Sequence, residues 1–226
     1  MNNGTLKPKS ADETYRSLFP TNSIHATESV AARAYATALD IRKFEIDLYW
    51  KRAAYFWLFT GAALAGYLTA LTSKDISNRG EALLVTSSIG LIFATAWYLV
   101  NRASKYWQRN WEFHVDLLED IQSGPLYKTV LESDAQLWKL SGPYPFSVSK
   151  VNQWLSLFIA VLFVILLART LTCHYRISSD FDWFSTLCVI GTTVAIFTMI
   201  KWARAGSSKE EVRMRRRTTT IHDQTV

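Results

Sequence analysis

Four apolar runs without a single charged residue constrain this chain more than any other feature of its sequence. They span residues 53–72, 82–100, 151–168 and 183–200, and none contains Asp, Glu, Lys, Arg or His. A helix rises ~1.5 Å per residue, so roughly 20 residues are needed to cross a hydrocarbon layer of ~30 Å. Helices of soluble proteins keep a polar face and rarely contain one run of this length. The runs therefore predict four transmembrane helices in an all-α fold.

The basic residues are distributed unevenly between the two sides that these spans define. Of the 25 Lys and Arg residues, 21 lie on the side with both chain ends and the long connection between spans two and three. The other four lie in the two short loops on the opposite side. Because loops rich in Lys and Arg stay on the cytoplasmic side, we predict a polytopic membrane protein with both termini in the cytoplasm. Membrane orientation therefore accounts for the excess of positive charge, which does not imply a nucleic-acid partner.

Breaker residues and changes in composition divide the chain into five segments. The pattern is helical from residue 28 until Ser73, and span two continues without Gly or Pro until Gly124-Pro125. Spans one and two are therefore predicted to extend into the cytoplasm as two helical stalks. The predicted segments are a mobile arm (1–27), a helical hairpin (28–123) with stalks 28–52 and 101–123, a linker with a short helix (124–150), a second transmembrane hairpin (151–203) and a basic tail (204–226).

The two stalks should lie side by side, because short connections make consecutive helices antiparallel neighbours. Counted from the membrane boundary, Glu45 and Arg109 lie at similar depth, and so do Arg42 and Glu112. We predict ion pairs between the stalks among these four residues, each contributing ~0.2–1 kcal/mol where exposed.

Aromatic residues are concentrated near the predicted inner boundary, where amphipathic rings favour the headgroup region. The second stalk also carries Trp107 and Trp111 one turn apart, with His114 close to the next turn. These rings mark the stalk as a surface that a soluble partner could recognise. The residues predicted to form the interfacial belt are Tyr49, Trp50, Tyr55, Trp57, Trp97, Tyr98, Tyr106 and Trp107.

Small residues recur at a spacing of four in spans one and two. This spacing places them on one face of a helix and lets two backbones approach closely in lipid. Packing within the chain and packing between subunits would use the same pattern, and the sequence does not separate the two. The residues of this predicted helix-packing seam are Ala62, Gly66 and Ala70 in span one and Thr86, Gly90 and Ala94 in span two.

The sequence offers little that points to catalysis. No His stands four residues from another metal ligand, and His114 and Asp116 point in different directions on a helix. Phosphate-binding loops and nucleophile elbows are missing from the sequence, and the spans contain no Asp, Glu, Lys, Arg or His. We therefore expect no enzyme activity, no metal site and no cofactor.

Three further features admit two interpretations each. Thr192 and Thr193 in span four could line a pore within a ring of subunits, or each hydroxyl could bond the carbonyl four residues earlier. Cys173, near the outer face, is either an ordinary free thiol or a link to a neighbouring subunit. The tail could bind anionic lipid or only reinforce the orientation; its clustered basic residues are Arg213, Arg215, Arg216 and Arg217.

Several longer motifs resemble the RipA-family octameric membrane proteins. They are the run from Arg42 to Ala53 with Tyr55-Phe-Trp57 at the entrance of span one, the runs 96–102, 110–119 and 124–128 at the exit of span two, and Phe146-Ser-Val-Ser-Lys150 before span three. The resemblance covers roughly residues 38–157. It implies a bacterial inner-membrane protein that assembles as a homo-octamer, in a family whose named member is associated with intracellular growth and adaptation to the host.

Three functional hypotheses follow. The first is a non-enzymatic homo-oligomer of the bacterial inner membrane with a role in envelope physiology, stress or host adaptation. The second is an oligomeric channel with a pore lined by span four. The third is a membrane anchor or sensor whose stalks recruit a cytoplasmic partner.

Overall fold

A computed structural model describes residues 29–73, 79–124, 126–127, 141, 144–174 and 182–203. Within those residues the regular secondary structure is all α-helix, with no β-strand. Each of the four helices is long and apolar enough to cross a membrane, so the predicted all-α fold with four candidate spans is confirmed. In chain order the helices are α1 (Val30–Thr72), α2 (Arg79–Gln122), α3 (Val148–His174) and α4 (Trp183–Trp202).

The first two helices are much longer than a bilayer requires. α1 has 43 residues and α2 has 44, which corresponds to ~65 Å each against a hydrocarbon thickness of ~30 Å. The Tyr35 hydroxyl on α1 lies 3.1 Å from the Ser123 hydroxyl just past the end of α2, so the two helices are antiparallel and extend beyond the apolar runs at the same end. Both spans therefore continue without a break into the stalks.

Local capping explains where the helices begin and end. The Ser29 hydroxyl accepts a hydrogen bond from the Ala32 amide at 3.2 Å and caps α1. The Asp182 carboxylate accepts from the Phe184 amide at 3.0 Å and caps α4 in the same way. α2 ends because Gly124 adopts a φ of +68°, a left-handed conformation that other residues rarely take.

The second helix is the centre of the structure and packs against all three others. The larger apolar cluster is built around the fully buried ring of Phe163 on α3, which packs with Ala63, Leu91 and Ala94. A smaller cluster of Tyr67, Ala70 and Leu83 lies further from the stalks. α4 packs mainly on α2, so it is the helix with the least support from the rest of the chain.

Candidate functional site

A buried polar junction joins α1, α2 and α3 at the level where the stalks meet the apolar runs. The Asn152 side-chain amide donates to the Tyr49 hydroxyl at 2.7 Å and to Asn101 Oδ1 at 3.2 Å. The Asn101 amide in turn donates to the Ser156 hydroxyl at 3.2 Å. All four residues are buried, and a buried polar group is costly unless it is hydrogen-bonded. The network therefore fixes the relative positions of the three helices.

The junction contains neutral groups. Burial raises the pKa of the Tyr49 phenol, and the hydrogen bond from Asn152 opposes that effect only in part. Two buried atoms, Asn152 Oδ1 and Trp97 Nε1, lack a hydrogen-bond partner within the described residues. Residue spacing alone does not reveal this network, although Asn101 and Asn152 are amides at the edges of two apolar runs. We interpret it as a structural lock.

Arg52 extends the junction towards the stalks. Its guanidinium donates to the Ser104 hydroxyl on α2 at 3.2 Å and lies 4.0 Å from the Glu45 carboxylate two turns further along its own stalk. Because Arg52 binds both helices, it ties the base of the two stalks together.

The four residues predicted to pair across the stalks are partnered differently. Glu45 pairs with Arg52, and Glu112 pairs with Lys105 at 3.3 Å, in both cases on the same helix. Arg109 lies over the ring of Phe113, 5.3 Å from its centre, and Arg42 lies 5.1 Å from the ring centre of Tyr127.

The physical reason is the register of the two stalks. In the structure, Tyr35 lies level with Ser123, and Arg52 lies level with Ser104. Relative to α1, α2 is therefore displaced along its axis by about three residues, nearly one helical turn, from the alignment that the sequence predicts. Glu45 and Glu112 then lie at the same depth. Two carboxylates repel each other, so each takes a cation from its own helix.

A buried carboxylate lies at the end of the stalks farthest from the apolar runs. Glu119 has no exposed surface, and its Oε2 accepts the Tyr127 amide at 2.6 Å. The Tyr127 ring lies beside the Arg42 guanidinium. The chain therefore returns against the two stalks directly after Gly124, and Glu119 holds that turn.

The small residues in spans one and two mostly pack within the chain. A Cβ added at Gly66 would lie 3.3 Å from Thr86 Cγ2, and one added at Gly90 would overlap the ring of Phe163. Ala70 and Ala94 are buried in the two apolar clusters. The remaining member of the predicted seam, Ala62, is exposed on α1 and is available to another molecule or to lipid.

The threonines of α4 bond to their own helix. Thr192 donates to the carbonyl of Cys188 at 2.7 Å, and Thr193 donates to the carbonyl of Val189 at 2.8 Å. Thr192 is buried against α2, whereas Thr193 is exposed. The two hydroxyls proposed to line a pore therefore do not share one environment.

The aromatic residues of the predicted belt separate into two groups. Tyr49 and Trp97 are only 3% and 2% exposed, so the belt assignment is wrong for these two, which belong to the helix contacts. Trp50, Tyr55 and Trp57 are exposed at the boundary. Exposed rings also continue along the stalks, on the residues that we call the stalk aromatics: Phe44, Tyr106, Trp107 and Phe113.

The remaining candidates are a metal site, the stalk histidine His114 and the thiol of Cys173. Among the described residues, no three His, Cys, Asp or Glu side chains lie close enough together to hold a metal ion. Trp111 packs on the His114 ring with centres 5.2 Å apart, and burial lowers the pKa of His114. Cys173 is an exposed thiol.

Three predicted segments fall wholly or largely outside the described residues. They are the arm at residues 1–27, the linker helix within 126–140 and the tail with Arg213, Arg215, Arg216 and Arg217.

Four long apolar helices, two of them continued by stalks and three locked at a buried junction, define a polytopic helical membrane protein. The model of the octameric membrane protein family matches residues 32–172, more than half of the chain, and the chain belongs to that family. The match covers the stalks, the junction and nearly all of α3, and the family resemblance of the sequence motifs is confirmed. No curated protein and no solved structure matches the chain.

Proposed function

We propose that the protein is a non-enzymatic subunit of a homo-octamer in the bacterial inner membrane. The observation that carries this proposal is the exposure of the stalk aromatics in a chain that belongs to a family named for its octamers. Phe44 is 60% exposed and Phe113 is 46% exposed. Large rings exposed to water favour burial against another protein surface.

The depth of these rings separates them from the lipid interface. Phe44 lies nine residues before Ala53, and Phe113 lies thirteen residues after Val100. These separations correspond to ~14 Å and ~20 Å along a helix, whereas the headgroup region adds only ~5–8 Å on each side of the hydrocarbon. Lipid headgroups therefore cover the boundary aromatics but do not reach Phe44 and Phe113.

The arrangement of the rings favours a closed ring of subunits. Tyr106 and Phe113 are two turns apart and lie on one side of α2, whereas Trp107 lies about 100° away on another side. A cyclic assembly uses two different surfaces of each subunit, one for each neighbour. Exposed rings on two sides of one stalk fit that requirement.

The charge distribution supports a common orientation for all copies. With 21 of 25 basic residues on the stalk side, each subunit would place its stalks and both termini in the cytoplasm. Identically oriented subunits related by a symmetry axis along the membrane normal form a cyclic octamer with a cytoplasmic crown of stalks. A role in envelope physiology or in adaptation to stress or a host is the function that the family resemblance supports.

The assembly is tested by measuring the mass of the purified full chain in mild detergent or nanodiscs. Eight times the 25.8 kDa chain is about 206 kDa, which native mass spectrometry separates from smaller species. We expect the double substitution Phe44→Ser and Phe113→Ser to reduce the mass of the assembly. Trp202→Ser serves as the control, because Trp202 is 82% exposed but lies on α4, outside the matched range.

A wild-type mass near 26 kDa across mild detergents and nanodiscs would contradict the octamer. If the double variant kept the wild-type mass, the assembly would not depend on the stalk aromatics.

A further inference from the structure

An apolar groove lies between α1 and α3 on the lipid-facing side of the chain, with part of α2 as its floor. Its volume is about 290 Å³. The hydroxyl of Thr60, which also borders the groove, donates to the Phe56 carbonyl at 2.7 Å and so presents no free donor. The residues that matter for its shape are Trp57, Gly61, Leu64, Trp97, Leu155 and Ile159.

The absence of a side chain at Gly61 keeps the groove open. A Cβ added there would meet no atom within 4 Å, so Gly61 is not required for close packing between helices. By contrast, the Phe163 ring occupies the space that a side chain at Gly90 would need. Gly61 therefore leaves a space that the chain itself does not occupy.

The groove lies mostly within one leaflet. Trp57 and Leu64 stand four and eleven residues above Ala53, and Leu155 stands four residues above Val151. These separations place the groove ~6–17 Å into a hydrocarbon layer of ~30 Å, so it lies mostly in the half adjoining the stalks and reaches about the midplane. Its occupant must therefore be apolar and must reach it from the stalk-side leaflet.

The size of the groove excludes a whole helix as occupant. A helix with its side chains is ~10–12 Å wide, and a volume of about 290 Å³ is only about that of the smallest ligand pockets. An acyl chain fits an apolar channel of this form, since it is narrow, flexible and hydrogen-bonds to nothing.

The membrane boundary next to the groove is positively charged. Within about two turns of the boundary, the described stalk-side segments 46–52, 101–107 and 144–150 contain five cations and one anion. The anion, Asp47, pairs with Lys51 at 2.7 Å. Of the other cations, Arg52 and Lys105 contact Glu45 and Glu112, which lie just outside these segments, whereas Arg102 and Lys150 have no carboxylate partner among the described residues.

We propose that the groove binds one acyl chain of an anionic phospholipid from the stalk-side leaflet, with its headgroup at this basic boundary. The lipid fills the space beside Gly61, and its phosphate lies near the level of Arg52 and Lys150. Binding requires only that the chain spans the membrane, so it does not depend on the octamer proposed above.

Native mass spectrometry of the full chain, delipidated and incubated with phosphatidylglycerol or phosphatidylcholine, tests the site. We expect about one retained phosphatidylglycerol per wild-type chain and weaker retention of phosphatidylcholine. Gly61→Leu should lower phosphatidylglycerol occupancy by roughly tenfold, because a leucine side chain takes the space of several methylene groups. Leu155→Trp closes the groove from the opposite wall and keeps the test valid if Gly61→Leu does not fold.

Gly191→Leu is the matched control, since a Cβ at Gly191 also meets no atom within 4 Å. Gly191 lines a groove of about 280 Å³ between α2 and α4, which lies in the half of the spans away from the stalks and from the basic boundary. Lipid retention by Gly61→Leu and Leu155→Trp equal to that of Gly191→Leu would overturn the proposal. So would a loss of subunit mass in the two groove variants without a loss of lipid, which would identify the occupant as a neighbouring subunit. Equal retention of phosphatidylcholine and phosphatidylglycerol would overturn the role of the basic boundary.

Discussion

The contact between Gly90 and Phe163 offers a sharp test of how the membrane-spanning helices pack. Gly90 is buried on α2, and the Phe163 ring from α3 occupies the space that a side chain would need. Phe163 itself has no exposed surface and packs with Ala63, Leu91 and Ala94. The perturbation is therefore Gly90→Ala, which adds a single methyl group at this contact.

The magnitude follows from the geometry and from a matched control. The added Cβ would overlap three carbons of the Phe163 ring, whereas carbon atoms in contact lie ~3.5–4.0 Å apart. The ring or the helix must move by more than about 1 Å, and overpacking of this kind costs ~1–3 kcal/mol. Ala also favours the helix over Gly by up to ~1 kcal/mol. Gly61→Ala brings the same helical gain without a clash, so the difference between the two variants isolates the packing cost.

The assay is thermal unfolding of the full chain in one detergent, followed by the loss of the folded peak in size-exclusion chromatography. A difference of ~1–3 kcal/mol corresponds to ~2–12 °C in Tm for a chain of this size. We expect Gly90→Ala to melt several degrees below Gly61→Ala, while Gly61→Ala and Gly191→Ala melt at or above the wild-type temperature.

A second substitution identifies the clash as the cause. Phe163→Leu shortens and narrows the opposing side chain, so the double variant with Gly90→Ala should lose less stability than the sum of the two single variants. Two results would show that α2 and α3 do not pack as described. One is an equal Tm for Gly90→Ala and Gly61→Ala, and the other is an additive loss of stability for Gly90→Ala and Phe163→Leu.

Three further substitutions test other parts of the structure by the same unfolding assay. Asn152→Ala removes the donor to Tyr49 and Asn101 and should cost ~1–3 kcal/mol, and a cost near zero would contradict the junction. Gly124→Ala forces alanine into a positive φ and should cost ~1–2 kcal/mol, whereas an unchanged Tm would mean that the turn is not rigid. Burial lowers the pKa of His114 from its ordinary value of 6.5, so the folded state binds fewer protons than the unfolded state, and stability should fall as the pH drops below about 6.5. His114→Gln should reduce that fall, and identical pH profiles would contradict the burial of the ring.

The secondary structure could be predicted because its signals are local. α1 ends at Thr72 and α4 begins at Trp183, where two charge-free runs end and begin. α2 ends at Gln122, two residues before Gly124, as expected near a residue that can adopt a positive φ. Each of these features depends on a few neighbouring residues and needs no knowledge of the tertiary structure.

The side-chain partners could not be predicted because they depend on a register accurate to less than one turn. A shift of about three residues between the stalks is enough to bring Glu45 level with Glu112 and to give both carboxylates cations from their own helices. The same limit applies to Tyr49 and Trp97. Both have the composition of an interfacial belt, but the helix rotation buries them, and the sequence does not fix that rotation.

The fourth helix differs from the others in how it is held. α1, α2 and α3 share the polar junction and the close packing at Gly90, whereas α4 packs mainly on α2. Across the α2–α4 contact, the buried Ser88 hydroxyl has no partner within the described residues, and Thr192 bonds to its own helix. The family match also ends at residue 172, before α4 begins. In lipid no hydrophobic force drives helices together, so the helix with the fewest specific contacts is the one most easily displaced. We therefore expect the unit formed by α1, α2 and α3, rather than α4, to carry the contacts between subunits.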